Sequence, residues 1–200
     1  MNDNSCSHFS DSQLLIEFQG GNSRAFETLI DRYRQALFSY LFRMTGNCDT
    51  AEDIFQDTFL KLLNSLPKYK EQGKFGNWLF NIAHNLVVDH ARKNNKFQTT
   101  AFDNDDSVFN DFEHIKNQGM PDKLIEAKEL NVIILEAVSK LSFEQRQVFL
   151  LREHSQMPFR EISELLNRPL NTVLAQMRYA LLNLRKYLEE KYQGEISHVL

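Results

Sequence analysis

The segment from Lys74 to Lys96 carries the residue types that bind an unpaired nucleic-acid strand. Its sequence, KFGNWLFNIAHNLVVDHARKNNK, has Phe75 and Trp78 near its start and a cluster of cations at its end. Aromatic rings stack on unpaired bases and cations neutralise phosphates, so this combination suits a melted DNA strand. Burial preferences favour the other interpretation, in which aromatics in phase with a helical stripe belong to a core. The segment alone therefore suggests DNA binding without establishing it.

The same segment predicts one amphipathic helix. Apolar side chains recur at three- and four-residue steps, which places them on one helical face. They are Phe75, Trp78, Leu79, Ile82, Ala83, Leu86, Val87 and Ala91. Lys74 precedes this stripe, and Arg92, Lys93 and Lys96 follow it.

The elements around this segment are also predicted to be helices, which makes the expected fold class all-α. Three helices precede it, and they are predicted from Asp11 to Gly20, from Asn22 or Ser23 to Gly46, and from Asp49 or Thr50 to before Pro67. The third has a polar, acidic side with Glu52, Asp53, Gln56 and Asp57. Acidic residues in the first turn of a helix interact favourably with the helix dipole. Charge alone supports this explanation of the acidic side over a docking face for a basic partner surface.

The C-terminal part predicts a helix-turn-helix. A helix is predicted from Asp122 to Ser139, and Ser142 with Gln145 caps the next one. The run PFREISELLN then predicts a short helix that Asn167 and Pro169 terminate. A new helix starts near Asn171. Its outward candidates for the major groove are Thr172, Leu174, Ala175, Gln176, Arg178 and Tyr179. A helical hairpin without a DNA role explains this pattern equally well.

Composition and charge limit the class of protein. The chain has 200 residues, 42% of them hydrophobic and 25% charged, which suits one large or two small globular domains. Its N-terminus does not look like a signal peptide, and no apolar run approaches the roughly 20 residues that cross a bilayer. We therefore expect a cytoplasmic protein with no membrane insertion. Cys6 and Cys48 have no CxxC spacing, so no zinc site, disulfide framework or other cofactor is expected.

The acidity of the chain is concentrated in its middle. Residues 1–96 carry 11 Lys/Arg and 11 Asp/Glu. Residues 97–122 carry one Lys/Arg and six Asp/Glu, whereas residues 123–200 carry 11 Lys/Arg and 10 Asp/Glu. The middle segment lacks helical periodicity and ends in Gly119 and Pro121, as a linker does. We therefore predict two small helical domains, residues 1–96 and 122–200, joined by an acidic flexible linker at residues 97–121.

Four blocks together resemble a bacterial group IV sigma factor, the extracytoplasmic-function type. DSQLLIEFQGGNSRAFETLIDRYRQALFSYLFRMTGN resembles the opening helices of sigma region 2. AEDIFQDTFLKL is similar to the family's AED-x-x-Q-[DE]-x-F-L block, and FGNWLFNIAHNLVVDHARK to its F-x-x-W-L-x-x-I-A-x-N-x-x-x-D-x-x-R helix. LSFEQRQVFLLREHSQMPFREISELLNRPLNTVLAQMRYALLNLRKYL resembles the region 4 helix-turn-helix. The match covers nearly the full chain in the family's order.

The resemblance implies a factor that binds core RNA polymerase and directs promoter-specific initiation without catalysing a reaction. The implied partners are the polymerase β′ clamp helices and β flap, promoter DNA and an anti-sigma factor. The implied polymerase contacts are Asp53, Gln56, Asp57 and Phe59. The implied contacts to the −10 element are Lys74, Phe75, Asn77, Trp78, Asn81, Asn85, Arg92 and Lys93. The implied contacts to the −35 element are Asn171, Thr172, Leu174, Ala175, Gln176, Arg178 and Tyr179.

One departure keeps alternatives open. The family's recognition helix usually begins T-V-[KR]-S-R with another Arg soon after, whereas Leu174, Ala175, Gln176 and Tyr179 stand at those positions here. Each lost phosphate contact weakens DNA affinity, although Gln176 could read adenine. A sigma-like helical interaction protein that reads DNA poorly is therefore the first alternative. A stand-alone helix-turn-helix regulator is the second, although it has no need of a clamp-docking block.

Overall fold

The computed structural model describes residues 8–70, 73–93 and 124–192. Every regular element in these ranges is a helix, which confirms the all-α prediction. The elements are α1 Asp11–Gln19, α2 Ser23–Thr45, α3 Cys48–Ser65, a 3-10 helix Leu66–Lys68, α4 Phe75–Lys93, α5 Leu124–Ser139, α6 Phe143–Ser155, α7 Phe159–Leu165 and α8 Leu170–Tyr192. The predicted linker, Lys96 and Cys6 lie outside the described residues. None of the helices in these ranges has the length and apolar character needed to span a membrane.

The starts of α3 and α6 are marked by side chains that accept hydrogen bonds from free amide groups. Asn47 Oδ1 accepts from the amide of Thr50 at 2.8 Å, so α3 begins at Cys48, slightly earlier than its sequence predicts. Ser142 Oγ accepts from the amide of Gln145 at 3.3 Å and caps α6 as expected. A single short polar side chain therefore marks where α3 and α6 begin.

Helix ends in the C-terminal part follow backbone conformations that only some residues tolerate. Asn167 adopts a φ of 49°, the left-handed conformation predicted for it. Gln156 adopts a φ of 54° between α6 and α7. Pro158 is the N-cap of α7 rather than a residue of its first turn, and α8 begins at Leu170. The turn between α7 and α8 is therefore short, as a helix-turn-helix requires.

The helices α1 to α4 pack into a bundle, which we call the N-terminal block (residues 8–93). Its core is formed by apolar faces of these helices and includes Phe80, which the predicted stripe of α4 leaves out. Burial of each large apolar side chain contributes about 1.5–3 kcal/mol. The largest of its fully buried side chains are Leu14, Leu15, Leu29, Leu37, Tyr40, Leu41, Phe42, Met44, Leu62, Phe75, Leu79 and Phe80.

The helices α5 to α8 form the C-terminal block (residues 124–192). Val148, Leu151, Ile162 and Val173 lie in its core, joining α6, α7 and the start of α8. Farther along α8, the Tyr187 hydroxyl donates to Glu136 Oε2 of α5 at 2.9 Å. These contacts hold α8 against the rest of the block along much of its length.

The two blocks also contact each other. Helix α6 packs against α2 and α4, and the buried apolar side chains of both blocks belong to one continuous cluster. The division of the chain at residues 96 and 122 remains a prediction, because the segment between the blocks lies outside the described residues.

Candidate nucleic-acid interface

Two aromatic rings stack at the entry to α4. Tyr69 precedes the helix and Trp78 lies in its first turn, and their ring centroids are 4.1 Å apart with 15° between the planes. Both rings are partly exposed. A stacked, partly exposed aromatic pair offers a surface on which an unpaired base can stack. Tyr69 was not among the residues predicted from the sequence to contact DNA. The available signal was that it is an aromatic residue among the charged residues that precede α4.

Phe75 belongs to the core. Its side chain is 1% exposed, and its ring packs against Trp78 at a centroid distance of 5.9 Å and against Tyr69 at 6.2 Å. A base has no access to this ring, so the implied DNA contact of Phe75 does not fit its position. Phe75 instead supports the stacked pair from behind, as the helical stripe predicts.

The polar candidates near the start of α4 lie around the stacked pair. Lys74 is exposed and Asn77 is partly buried, and both contact Glu161 of α7. The hydrogen bond to this carboxylate raises the pKa of Lys74. Farther along the helix, Asn85 Nδ2 donates to Asn81 Oδ1 at 2.7 Å.

The cations at the end of α4 are solvent-exposed. Arg92 and Lys93 lie in the last turn, where a positive charge also favours the helix dipole. Arg92 Nη1 lies 3.9 Å from Asp89 Oδ1 on the helix surface. Arg92 and Lys93 are therefore accessible to a DNA phosphate. Stabilisation of the helix end by their charges explains their positions equally well.

Behind the site, a buried polar pair joins α4 to α2. The hydroxyl of Tyr40 lies 2.8 Å from His84 Nδ1. Burial, with a smaller contribution from the charge of Arg168, lowers the pKa of His84 to about 4. The imidazole is therefore neutral at pH 7, and its Nδ1 can accept the hydrogen bond from the tyrosine hydroxyl. This bond fixes the position of α4 relative to α2.

The predicted polymerase contacts lie on α3, away from the stacked aromatic pair. Asp53, Gln56 and Asp57 are exposed, and Phe59 is partly buried against Phe55 at a centroid distance of 4.7 Å. An open groove between α2 and α3 runs beside them. Its lining combines apolar and charged residues: Phe26, Glu27, Ile30, Asp31, Arg34, Phe55 and Phe59. This surface suits a partner helix with apolar and basic residues.

The predicted groove-reading residues lie mostly on the outer face of α8. Val173 and Ala180 are fully buried, which turns the opposite side of the helix outward. The exposed members of the set are Asn171, Thr172, Leu174, Ala175, Arg178 and Tyr179, whereas Gln176 is partly buried. The helix-turn-helix geometry is therefore present, with one cation, Arg178, among these residues.

Clusters of metal-ligating side chains are a separate kind of candidate site. Within the described residues, no group of three or more His, Cys, Asp or Glu side chains is placed so that it could hold a metal ion.

Solved structures with the same fold include two complexes. In the structure of CnrH in complex with the cytosolic domain of CnrY, a chain matches with a TM-score of 0.61 and 22% identity, covering 91% of this chain and 99% of that one. In the co-crystal structure of the sigma factor RpoE with the anti-sigma factor NepR from Bartonella quintana, the TM-score is 0.60 and the identity 18%, over 82% of this chain and 96% of that one. These similarities establish the fold.

Sequence comparison establishes the family. Residues 29–97 match Sigma-70 region 2, and residues 131–184 match Sigma-70, region 4. RNA polymerase sigma factor YlaC of Bacillus subtilis (strain 168) is 28% identical over 178 residues, which span 86% of this chain and 96% of YlaC. ECF RNA polymerase sigma factor SigW of the same strain is 29% identical over 178 residues, 88% of this chain and 95% of SigW. With both regions present in order, the chain belongs to the extracytoplasmic-function group of the sigma-70 family.

Proposed function

We propose that this protein binds core RNA polymerase and directs it to promoters by capturing a melted −10 strand at the start of α4. The observation that carries this proposal is the stacked, partly exposed pair of Tyr69 and Trp78 beside the cation Lys74. A flipped base costs a few kcal/mol to extrude, and stacking on an aromatic returns about 1–3 kcal/mol. The family membership supplies the polymerase and the promoter as partners.

The proposed contacts divide by chemistry. Trp78 and Tyr69 stack on bases, and Lys74 neutralises a phosphate. The side-chain amides of Asn77, Asn81 and Asn85 can donate to and accept from the exposed edges of unpaired bases. We leave Phe75 out of this set because it is buried, and Arg92 and Lys93 extend the cationic surface along the strand.

The proposed polymerase contact is the exposed acidic face of α3. Asp53, Gln56 and Asp57 would meet the β′ clamp helices, and Phe59 would supply an apolar edge. Two fold relatives were solved with CnrY and with the anti-sigma factor NepR, which supports an anti-sigma partner for this chain as well. We retain residues 1–96 as region 2, 97–121 as the linker and 122–200 as region 4.

A second candidate function concerns only region 4. The outer side of α8 exposes Leu174, Tyr179, Leu181 and Leu182, each between 42% and 56%. Large apolar side chains on an outward face are typical of a protein contact, whereas phosphate binding needs cations. We therefore propose that region 4 binds a protein, such as the β flap, more strongly than the −35 element.

Run-off transcription tests both candidates. The purified protein is combined with core polymerase on a pool of genomic promoter fragments. Specific transcripts that need the protein support the sigma function. Stable polymerase binding without any transcript would favour the interaction protein.

The substitution Trp78→Ala separates strand capture from polymerase binding. We expect polymerase binding near that of wild type, with promoter opening reduced roughly five- to a hundredfold, because one stacking contact of about 1–3 kcal/mol is lost. Permanganate reactivity of unpaired thymines measures the opening. Trp78→Phe keeps an aromatic ring and should retain part of the activity.

Circular dichroism and polymerase binding provide the control for Trp78→Ala. Loss of both helical signal and polymerase binding would show that Trp78 acts only as a core residue. A folded Trp78→Ala protein that opens promoters normally would contradict its stacking role.

A further inference from the structure

A carboxylate at the start of α1 holds two neighbouring side chains of α2. Asp11 Oδ1 accepts a hydrogen bond from Nη1 of Arg32, and Asp11 Oδ2 accepts one from the hydroxyl of Tyr33. The other terminal nitrogen of Arg32, Nη2, donates to the carbonyl oxygen of Phe9 at 2.8 Å. Hydrogen bonds to an ionised carboxylate are stronger than those between neutral groups. Because the Asp11 side chain is only 22% exposed, water competes little for these donors, and the Tyr33 hydroxyl is held in one position.

The ring of Tyr33 faces the start of α4. A Cβ atom at Gly76 would lie 2.8 Å from Cε1 of Tyr33, so the backbone of α4 passes close to the tyrosine ring. The same ring lies 5.7 Å from the ring of Phe75, measured between centroids. The first turn of α4 therefore packs on a ring whose position is fixed from α1.

Phe75 connects this ring to the stacked aromatic pair. Its centroid lies 6.2 Å from that of Tyr69 and 5.9 Å from that of Trp78, with interplanar angles of 82° and 68°. Aromatic rings in such edge-to-face arrangements attract each other beyond the effect of their burial. Burial and the contacts with Asp11 raise the pKa of the Tyr33 hydroxyl, and Tyr69 lies near enough to raise it further. A continuous line of contacts therefore joins the Asp11 carboxylate to the stacked pair.

The stacked pair has one accessible side and one supported side. Tyr69 and Trp78 are partly exposed, whereas Phe75 behind them is 1% exposed. A binding group keeps its productive geometry only when its neighbours lock its rotamer. A Tyr33 hydroxyl that only joined α1 to α2 would stabilise the fold and leave the pair unchanged. The two roles therefore differ in what happens to Trp78 when the hydroxyl is removed.

We propose that Asp11 and Tyr33 are positioning residues for strand capture. The carboxylate of Asp11 holds the Tyr33 ring against Phe75, and Phe75 keeps the stacked aromatic pair in place for an incoming base. The role in strand capture rests on the function proposed above, whereas the effect on the stacked pair does not depend on DNA. Helix α1 thereby contributes to the −10 site without touching the strand.

The first test measures the stacked pair without DNA. Trp78 is the only tryptophan of the chain, so tryptophan fluorescence reports on this site alone. Tyr33→Phe keeps the ring but removes the hydroxyl that Asp11 holds, and it should increase the collisional quenching of Trp78 by acrylamide in the free full-length protein. Tyr187→Phe is the matched control, because it also removes a tyrosine–carboxylate hydrogen bond, the one of 2.9 Å between α8 and α5.

The second test measures strand capture by the complete holoenzyme. Permanganate reactivity follows the opening of a promoter obtained from the run-off experiment. Tyr33→Phe and Asp11→Asn should each reduce opening about two- to tenfold, the usual effect of losing one intramolecular hydrogen bond, with polymerase binding near that of wild type. Glu17→Gln is the control for Asp11→Asn, because it removes the same charge from an exposed position of α1.

The outcomes separate the positioning role from a role in the fold alone. Equal quenching and equal opening for Tyr33→Phe and Tyr187→Phe overturn the proposal. Greater quenching of Tyr33→Phe with normal opening also overturns it, because the pair would then move without any effect on the strand. Reduced opening with unchanged quenching does the same, because Tyr33 would then act by another route. Failure of the wild-type protein to initiate transcription counts against the proposed function, and the fluorescence of Trp78 then decides whether the two residues position the pair.

Discussion

Gly76 lets α4 approach α2 at a point where no side chain would fit. A Cβ atom at this position would lie 2.8 Å from Cε1 of Tyr33 and 3.0 Å from its hydroxyl oxygen. The tyrosine ring is held on both sides, because its hydroxyl donates to Asp11 and its face packs near Phe75 at a centroid distance of 5.7 Å. Movement of the ring would therefore disturb contacts among α1, α2 and α4.

Gly76→Ala should destabilise the protein even though alanine favours helices. Overpacking of this kind costs about 1–3 kcal/mol, which exceeds the helix-propensity gain of about 1 kcal/mol at most sites. Urea unfolding followed by circular dichroism measures the change. Gly20→Ala is the control, because its Cβ would meet no atom closer than the Glu17 carbonyl oxygen at 3.3 Å.

A double-mutant cycle tests the cause of that loss. Tyr33→Ala removes the ring that the new Cβ would meet, so Gly76→Ala in this background should be neutral or stabilising. The same loss of stability in both backgrounds would show that the tyrosine is not responsible.

At the scale of elements, the sequence predicted the helices well because each has a local signal. The apolar stripe of α4 and the turn residue Asn167 act within a few positions of the structure they determine. The stacking of Tyr69 on Trp78 has no signal in the helical periodicity, because Tyr69 lies before α4, which begins at Phe75. Phe75 and Trp78 share a stripe, yet only the packed structure distinguishes the buried ring of Phe75 from the partly exposed ring of Trp78.

The connection between α6 and α7 contains a conformation that glutamine adopts with strain. Gln156 has a φ of 54°, and Arg152 donates to its carbonyl oxygen at 3.3 Å and to that of Met157 at 3.1 Å. The Arg152 guanidinium also lies 5.2 Å from the centroid of the Phe159 ring. These contacts hold the backbone in the left-handed region, where an ordinary side chain costs free energy.

Gln156→Gly should stabilise the protein by about 0.5–1 kcal/mol, because glycine adopts this conformation without a Cβ clash. Asn167→Gly is the matched comparison and should change stability less, since asparagine already tolerates the left-handed region. Urea midpoints with unchanged slopes measure both effects. A larger gain at Asn167 than at Gln156 would contradict the assignment of strain.

At the scale of the whole molecule, the packing of the two blocks could not be predicted from local patterns. Lys74 and Glu161 are 87 positions apart, and each alone looks like a solvated surface charge. Periodicity shows which face of α6 is apolar, but it does not identify the helices that cover that face. The sequence therefore predicted two helical units but not the contact in which one covers part of the other.

A buried histidine, His84, and a partly buried one, His154, lie at this contact, and the charge of an arginine of the opposite block acts on each. His84 of α4 has a pKa lowered to about 4 by burial and, to a smaller extent, by the charge of Arg168. His154 of α6 has a pKa lowered to about 4 by burial and, secondarily, by the charge of Arg43. Both imidazoles are therefore neutral in the folded protein at pH 7, whereas the ordinary value is 6.5.

The protein should lose stability as the pH falls from 7 to 5. The unfolded chain takes up a proton at each histidine as the pH passes 6.5, whereas the folded protein does so only near 4, so protonation favours the unfolded state. By linkage, each histidine lowers the free energy of unfolding by about 2 kcal/mol over this interval. Urea unfolding at several pH values measures the slope. The substitutions His84→Gln and His154→Gln should each remove about half of the pH dependence of the unfolding free energy that this pair causes. His8→Gln, at an exposed position, is the control for the loss of a histidine. If the slope persists when both His84 and His154 are replaced, other groups cause the acid sensitivity.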